Sequence, residues 1–510
     1  MAGLFFRLLG ANWGFPFQLH PDEHAIANVS FNMLVNNTHD PGYYNRPNHF
    51  SIYLNSFIYS VVSFIKYHRP IAETFPVNIN FYYLVSRVIV AVLGTISIYI
   101  AYLVGKEYKE EVGLTAAFLF AFFPSYIIHS HYITPDIPLT LFVLLVMLFA
   151  VKYLKKPTTI NLITCCMFSA LATIEKYPGA ITTFLLLLII ITVHHKDKKA
   201  VVAIMLKAGL SYLIFMFILS PYLFINYLKV IQAIKLEQRS GHLGADGLGY
   251  LGNMLFYAAS YLSYSGIILA VFLVIGIICL IKKEGKYAIP LFFGFFYLAA
   301  LSRLPLHWER WALPMYTSGL LIAAYGICLS WDKAKNAIKY KNIYVPALCL
   351  LLFICFSNLV LTGVLESTRL TLKDTRNAAF EYVQNSDIND KNSLYEGYTP
   401  FMPGQPATIF RDLHNLDKSI EYIIVSEQMY GRYLKEKERY KKENLFYENV
   451  SNFPLITEFK PANELFQPQP LEAVNIVNSV NYYIAYLRNK KALINGPVIK
   501  IYKAPDYLKT

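Results

Sequence analysis

Residues 86–108 read SRVIVAVLGTISIYIAYLVGKEY, the heart of an apolar run that starts near residue 81 and stops at Lys106. About 20 apolar residues in a helix cross the hydrocarbon core of a bilayer, so this stretch is long enough to span one. Working outward from it, further apolar runs lie around 112–131, 138–153, 159–175, 178–194, 201–227, 255–281, 287–302, 311–331 and 343–364. The expected fold is therefore an all-α polytopic membrane domain of about ten to eleven transmembrane helices.

Composition agrees, with 55% hydrophobic and 15% charged residues and a mean hydropathy of +0.38. The net charge of +13 is not a nucleic-acid signature, because residues 1–365 hold 27 Lys+Arg against 15 Asp+Glu while residues 366–510 hold 19 against 18. The surplus belongs to the apolar part. It sits in short clusters between the runs: Lys106/Lys109, Lys152/Lys155/Lys156, Lys196/Lys198/Lys199/Lys207, Lys282/Lys283/Lys286 and Lys333/Lys335/Lys339/Lys341. Such clusters mark cytoplasmic loops. The intervening loops, about 11–80, 131–137, 175–178, 228–254 and 303–310, and the tail after 365 are then expected outside. All six cysteines lie inside apolar runs, which points to neither a disulfide framework nor a zinc cluster.

Residues 1–10 (MAGLFFRLLG) are too short to span, although an outward loop at 11–80 needs a span before it. The expectation is a start codon placed late, with an eleventh span missing; the same ten residues are also too short for a signal peptide. Within the loop, residues 50–67 (FSIYLNSFIYSVVSFIKY) read as an interfacial amphipathic helix. Residues 1–365 thus form the expected membrane and catalytic domain, and residues 366–510 a small extracytoplasmic α/β domain. Strands are expected at 422–426 (YIIVS) and 497–502 (PVIKIY), and 435–442 (KEKERYKK) as a solvated helical face.

The polar outliers fall on the outward side. Asp22 and Glu23, in LHPDEH, stand just past the first membrane boundary. A carboxylate there can act as general base on an acceptor hydroxyl, and its neighbour can orient it or share a divalent metal. The alternative is a solvated loop acid. Asp136, in HSHYITPDIP, is either a second site acid or a helix cap, and His129 and His131 beside it are packed or interfacial histidines. Lys176 in IEKYPG, with Arg303, His307 and Arg310 in SRLPLHWERW, places cationic groups where a lipid phosphate would lie. Lys176 as a snorkelling residue and an Arg310–Glu309 pair are the alternatives. The glycine-rich segment 240–250 (SGHLGADGLGY) lacks the phosphate-loop lysine and reads as a mobile loop over a cavity, or as a plain connector.

The order LHPDEH, SRVIVAVLGTISIYIAYLVGKEY, GLTAAFLFAFFPSYIIHSHYITPD, ATIEKYPG and HWERWALPMY resembles the GT-C superfamily of membrane glycosyltransferases. The likeness is to the branch of dolichyl-phosphate-mannose protein mannosyltransferases and the lipid A aminoarabinose transferase, over residues 11–331. This resemblance implies inverting sugar transfer from a polyprenyl-phosphate-linked donor, a mannose-like hexose by default, to a glycan, lipid or protein acceptor. It implies Asp22 as base with Glu23 supporting it, Asp136 as the acid of the second outer loop, and Lys176 and Arg310 at the donor phosphate, where His307 is expected beside them from its place at the outer boundary. It also implies a plasma-membrane location with an extracytoplasmic active site and no nucleic-acid partner. A divalent metal on Asp22 and Glu23 stays open. A transporter or lipid-linked sugar flippase is the competing class, since apolar spans alone fit it; outer-loop acids and few charges inside the spans count against it.

Overall fold

The computed structural model describes residues 1–239, 241–337, 340–389, 391–399, 419–461 and 467–505. Ser240, Lys339 and parts of the C-terminal segment, all named above, lie outside these described residues. Among the described residues, six helices are long and apolar enough to cross a bilayer: Ile79–Lys106, Asp136–Lys155, Tyr177–His194, Lys198–Leu219, Glu309–Lys335 and Lys341–Arg369. A seventh candidate is the bent pair Gly249–Ser265 and Ile267–Lys283. The chain is an integral membrane protein, mostly helical, with a small sheet-bearing domain at its C-terminal end.

Of the runs expected to span but not among the six, Thr159–Glu175 is one unbroken helix that at 17 residues is shorter than the six, and the others are broken for local reasons. Run 112–131 splits into Glu110–Phe122 and Pro124–His129, because Pro124 has no N–H to continue the helix. Arg7 lies almost fully buried beside this break and donates to the carbonyls of Phe120 at 2.9 Å and Ala121 at 3.2 Å, satisfying acceptors that the break exposes. Run 255–281 turns by 114° at Gly266, whose φ of +80° is open to glycine at little cost. Run 287–302 begins as a 3₁₀ segment, Gly285–Phe292, holding Pro290, and becomes α-helical only at Phe293–Leu301.

Burial ranks the helices. Asp136–Lys155 and Glu309–Lys335 are 83% and 94% buried over their apolar windows and form the centre; Lys198–Leu219, at 6%, lies at the periphery. Helix Ile267–Lys283 packs on Glu309–Lys335 through small residues. A side chain on Gly276 would meet the Ile322 carbonyl, and one on Gly326 the Phe272 carbonyl, each at 2.1 Å. Such close backbone approach is how helices associate where lipid removes the hydrophobic drive.

Residues 1–10 hold one short helix, Ala2–Leu8, and residues 50–67 continue as helix His49–Val62 into a π-turn, Ser63–Tyr67. The C-terminal sheet has strand order Ser393–Tyr395, Tyr422–Ser426, Ile499–Lys503, Leu455–Phe459, with the first pair parallel and the others antiparallel. The strand expected at 422–426 is present residue for residue, and the one expected at 497–502 starts two residues later and ends one later, as Ile499–Lys503. Residues 435–442 are solvated as expected but not one helix: Glu427–Lys435 ends and Lys441–Ser451 begins within them. Arg376 donates to the Leu19 carbonyl at 3.1 Å and Asn377 to the Phe15 carbonyl at 3.0 Å, which seats the sheet domain on the loop carrying Asp22.

Candidate active site

The segment His20–Glu23 is a tight turn ahead of helix His24–Val35, so its successive side chains diverge. Glu23 turns inward and is fully buried. Its carboxylate accepts two 2.8 Å bonds from Arg87, a residue set in the spanning helix Ile79–Lys106, and a third at 3.1 Å from the Ile133 N–H. Arg87 completes its shell on the carbonyls of Ala11 and Trp13. Glu23 therefore pins the first loop, the first long helix and the second loop together; it does not reach the cavity that Asp22 lines.

Asp22 turns the other way. Its side chain is 24% exposed and sits between Arg46, at 3.1 Å, and Arg310, at 2.5 Å. Arg46 continues to Glu237 at 3.1 Å, and Glu237 to Arg239 at 3.3 Å. Arg310 lies 3.9 Å from Asp136, whose other oxygen takes a 2.6 Å bond from buried Lys176. One alternating chain thus runs Glu237, Arg46, Asp22, Arg310, Asp136, Lys176. Burial alone favours the neutral acid at Asp22, but the guanidiniums of Arg310 and Arg46 outweigh it and hold the carboxyl well below the usual range. His20, stacked on Tyr132 at 4.5 Å, is pushed down to about 3 by burial and then by Arg310, so it stays neutral.

These contacts decide several expectations. Asp136 does open its helix, yet its side chain makes no capping bond and goes to Lys176 instead. Glu309 accepts from Ser125 and Tyr264, both at 2.9 Å, so Arg310 does not pair with it. Lys176 does not snorkel: it is buried, 5.4 Å from the Trp311 ring. His307 packs on Phe256 at 4.5 Å and Arg303 lines a separate crevice; neither lines the cavity beside Asp22. His131 is structural, bonded to the Ile127 and Leu9 carbonyls, whereas His129 lines the cavity. The glycine-rich loop leans on the C-terminal domain, with Asp246 paired to Arg439. Asp22 and Glu23 point apart, and every Glu23 oxygen is engaged by Arg87. The pair is therefore ill suited to share a divalent cation, and among the described residues no three His, Cys, Asp or Glu converge.

Two hollows meet here. A polar cavity of about 630 Å³ is lined by His20, Asp22, Arg46, His129, Arg310 and, from the C-terminal domain, Gln428 and Arg432. An adjoining apolar groove of about 320 Å³ is lined by Tyr177, Pro178, Ile181, Ile234, Leu301 and Leu304, with Lys176 among them. Arg46, Glu237 and Trp311 line both. Arg46, Arg87 and Glu237 escaped sequence reading. Arg87 carried a usable signal, as an arginine inside an apolar run almost always has a buried partner. Arg46 and Glu237 carried none.

Residues 78–225 match the family described as dolichyl-phosphate-mannose-protein mannosyltransferase. Among curated proteins none matches the sequence. Among solved structures, ArnT from Cupriavidus metallidurans bound to undecaprenyl phosphate aligns with a TM-score of 0.52 at 12% identity, over 85% of this chain and 92% of that one. The same ArnT in its apo state aligns with a TM-score of 0.50 at 11% identity, over 84% and 92%. The Archaeoglobus fulgidus oligosaccharyltransferase tethered to an acceptor peptide gives 0.49 at 12%, over 98% and 88%. In fold over most of its length, and in sequence over residues 78–225, the chain resembles the GT-C membrane glycosyltransferases of the protein mannosyltransferase and ArnT branch.

Proposed function

We propose that this chain is a glycosyltransferase that moves a sugar from a polyprenyl-phosphate-linked donor to an acceptor hydroxyl, with Asp22 as general base. The observation that carries the reading is the position of Asp22 between Arg46 and Arg310, where a polar cavity joins an apolar groove. A lipid-linked sugar has the matching polarity. Its first isoprene units suit the groove, its phosphate suits the cationic junction of Arg46, Arg310 and Lys176, and its sugar suits the polar cavity.

In this reading Asp22 occupies the place of the donor phosphate. A carboxylate held by two guanidiniums is a weak base, and a phosphate that draws Arg310 and Arg46 to itself restores its basicity. The acceptor oxygen then attacks the anomeric carbon as its proton passes to Asp22. The bond from that carbon to the phosphate oxygen breaks on the opposite side, so one displacement inverts the centre. The leaving polyprenyl phosphate gains charge, which Arg310 and Lys176 stabilise. Asp136 tunes that pair of cations, Glu23 acts at one remove by fixing the turn through Arg87, and His307 drops out of the donor site. The default donor remains a mannose-like hexose, and the active site and C-terminal domain face the extracytoplasmic side of the plasma membrane.

The test is transfer from labelled polyprenyl-phosphate sugar in membranes containing Asp22→Asn. A general base contributes about 10²- to 10⁴-fold, and a loss of that size is expected with membrane insertion unchanged. Near-normal transfer would sink the assignment. Flux of the lipid-linked sugar across liposomes, without product, would support the transporter class instead.

A further inference from the structure

The helix Glu472–Asn489 carries its polarity the wrong way round for an element bathed in water. Its inward face holds Glu472, Asn475, Ser479 and Tyr482, all buried. Its outward face is an aliphatic stripe at helical spacing: Val474, Val477, Val480, Ile484 and Leu487, exposed by 38%, 57%, 43%, 43% and 83%. A helix of a water-soluble domain shows the reverse arrangement.

Glu472 and Asn475 from this inward face, with the half-buried Tyr483 and Tyr486, tie the helix to the membrane part and to the segment leading into it. Glu472 accepts the Ile268 N–H at 2.6 Å, capping helix Ile267–Lys283 where it starts after the Gly266 bend. The Ile267 N–H donates to the Pro470 carbonyl at 3.0 Å. Asn475 bridges both backbone groups of Gln469. Tyr483 then donates to the Leu361 carbonyl at 2.7 Å, and Tyr486 shares a 2.9 Å bond with Thr371. Leu361 lies within the spanning helix Lys341–Arg369, about 12 Å along the axis from its end at a rise of 1.5 Å per residue. The helix therefore starts level with the beginning of one apolar helix and runs alongside another.

We infer that Glu472–Asn489 is itself embedded at the bilayer surface, with its aliphatic stripe against acyl chains. Three observations favour lipid as the occupant. The spanning helix it is tied to also carries exposed apolar side chains, Leu350, Leu351 and Phe353 at 60%, 44% and 70%, as a lipid-facing helix does. The stripe is aliphatic apart from Asn481 and carries none of the Trp or Tyr anchors on which protein interfaces depend. Arg488 in its last turn and Lys490 and Lys491 just after it place cations at headgroup level. The sheet domain is thereby held on the membrane by an apolar element of its own, in addition to its covalent link through Lys341–Arg369.

The experiment uses the full chain in liposomes, with exposed Cys349 replaced by serine and a single cysteine introduced as Val477→Cys or, independently, Leu487→Cys. Each is labelled with a nitrobenzoxadiazole fluorophore, and Lys460→Cys on the sheet domain serves as the reference. Both stripe positions should emit at shorter wavelength than the reference and be quenched about twofold or more by lipids carrying an acyl-chain nitroxide, as expected for an interfacial helix. Quenching by aqueous iodide equal to that of the reference would overturn the inference. So would a disulfide-linked dimer through Val477→Cys without nitroxide quenching, which would assign the stripe to a second copy.

Discussion

The Arg87 guanidinium holds the Glu23 carboxylate by two parallel 2.8 Å bonds, Nε to Oε1 and Nη2 to Oε2, with both side chains sealed from water. The pair joins the helix that begins at Ile79 to the turn that presents Asp22, so the direction of Asp22 depends on a bond it does not make. Removing one partner of a buried ion pair leaves the other charge uncompensated, at a cost of about 3–5 kcal/mol. Glu23→Gln should accordingly lower the thermal midpoint in detergent far more than Asp22→Asn. The double substitution Glu23→Gln with Arg87→Met should recover part of the loss. Equal midpoints for the two single variants would show that the pair is not structural.

The acid at Asp22 gives a pH signature with a definite sign. Its folded pKa lies below the unfolded value, because Arg310 and Arg46 outweigh burial. A depressed carboxylate contributes stability that is complete above the unfolded value of about 3.9 and is lost as pH falls through the folded one. The difference in thermal midpoint between wild type and Asp22→Asn should therefore stay constant from about pH 5 to 8 and narrow only below about pH 4. A difference that closes between about pH 5 and 7 would place Asp22 outside the guanidinium clamp.

Arg310 is the cation that touches Asp22 and faces Asp136. A lysine cannot reproduce the planar fork of guanidinium donors, so Arg310→Lys should raise the KM for the lipid-linked donor by about tenfold or more and lower kcat as well. Donor kinetics on purified protein with saturating acceptor would read this directly. An unchanged donor KM would remove Arg310 from the phosphate site.

Lys176 and Asp136 form the innermost ion pair of the chain, at 2.6 Å with both side chains under 10% exposed. Either Lys176→Met or Asp136→Asn alone should destabilise the protein by about 3–5 kcal/mol, and the pair together by clearly less. Additive losses in a double-mutant cycle would argue that the two do not couple. Transfer should remain low in the double variant even where the fold recovers, because Lys176 is assigned to the leaving phosphate.

Local chemistry left several features legible. Long apolar runs announce membrane helices because burying about 20 residues in hydrocarbon demands that composition. The short β-branched run YIIVS announced a strand through its side-chain preference, and Tyr422–Ser426 is one. Pro124, Pro290 and Gly266 were visible, but whether each kinks, breaks or merely decorates a run depends on what packs beside it.

By itself, then, the sequence determined that this is a bundle of membrane helices with an α/β appendage and that Asp22, Asp136, Lys176 and Arg310 stand out from their apolar surroundings. Only the tertiary structure decided that Asp22 faces the cavity while Glu23 turns to Arg87, that Arg46 joins Asp22 from 24 residues away, and that Arg310 does so from 288. The reason is physical. Hydrophobic patterning acts over neighbouring residues and fixes which segments form helices. The direction of a side chain in a turn, and the partner of a charge, are set by long-range packing that leaves no periodic mark on the chain.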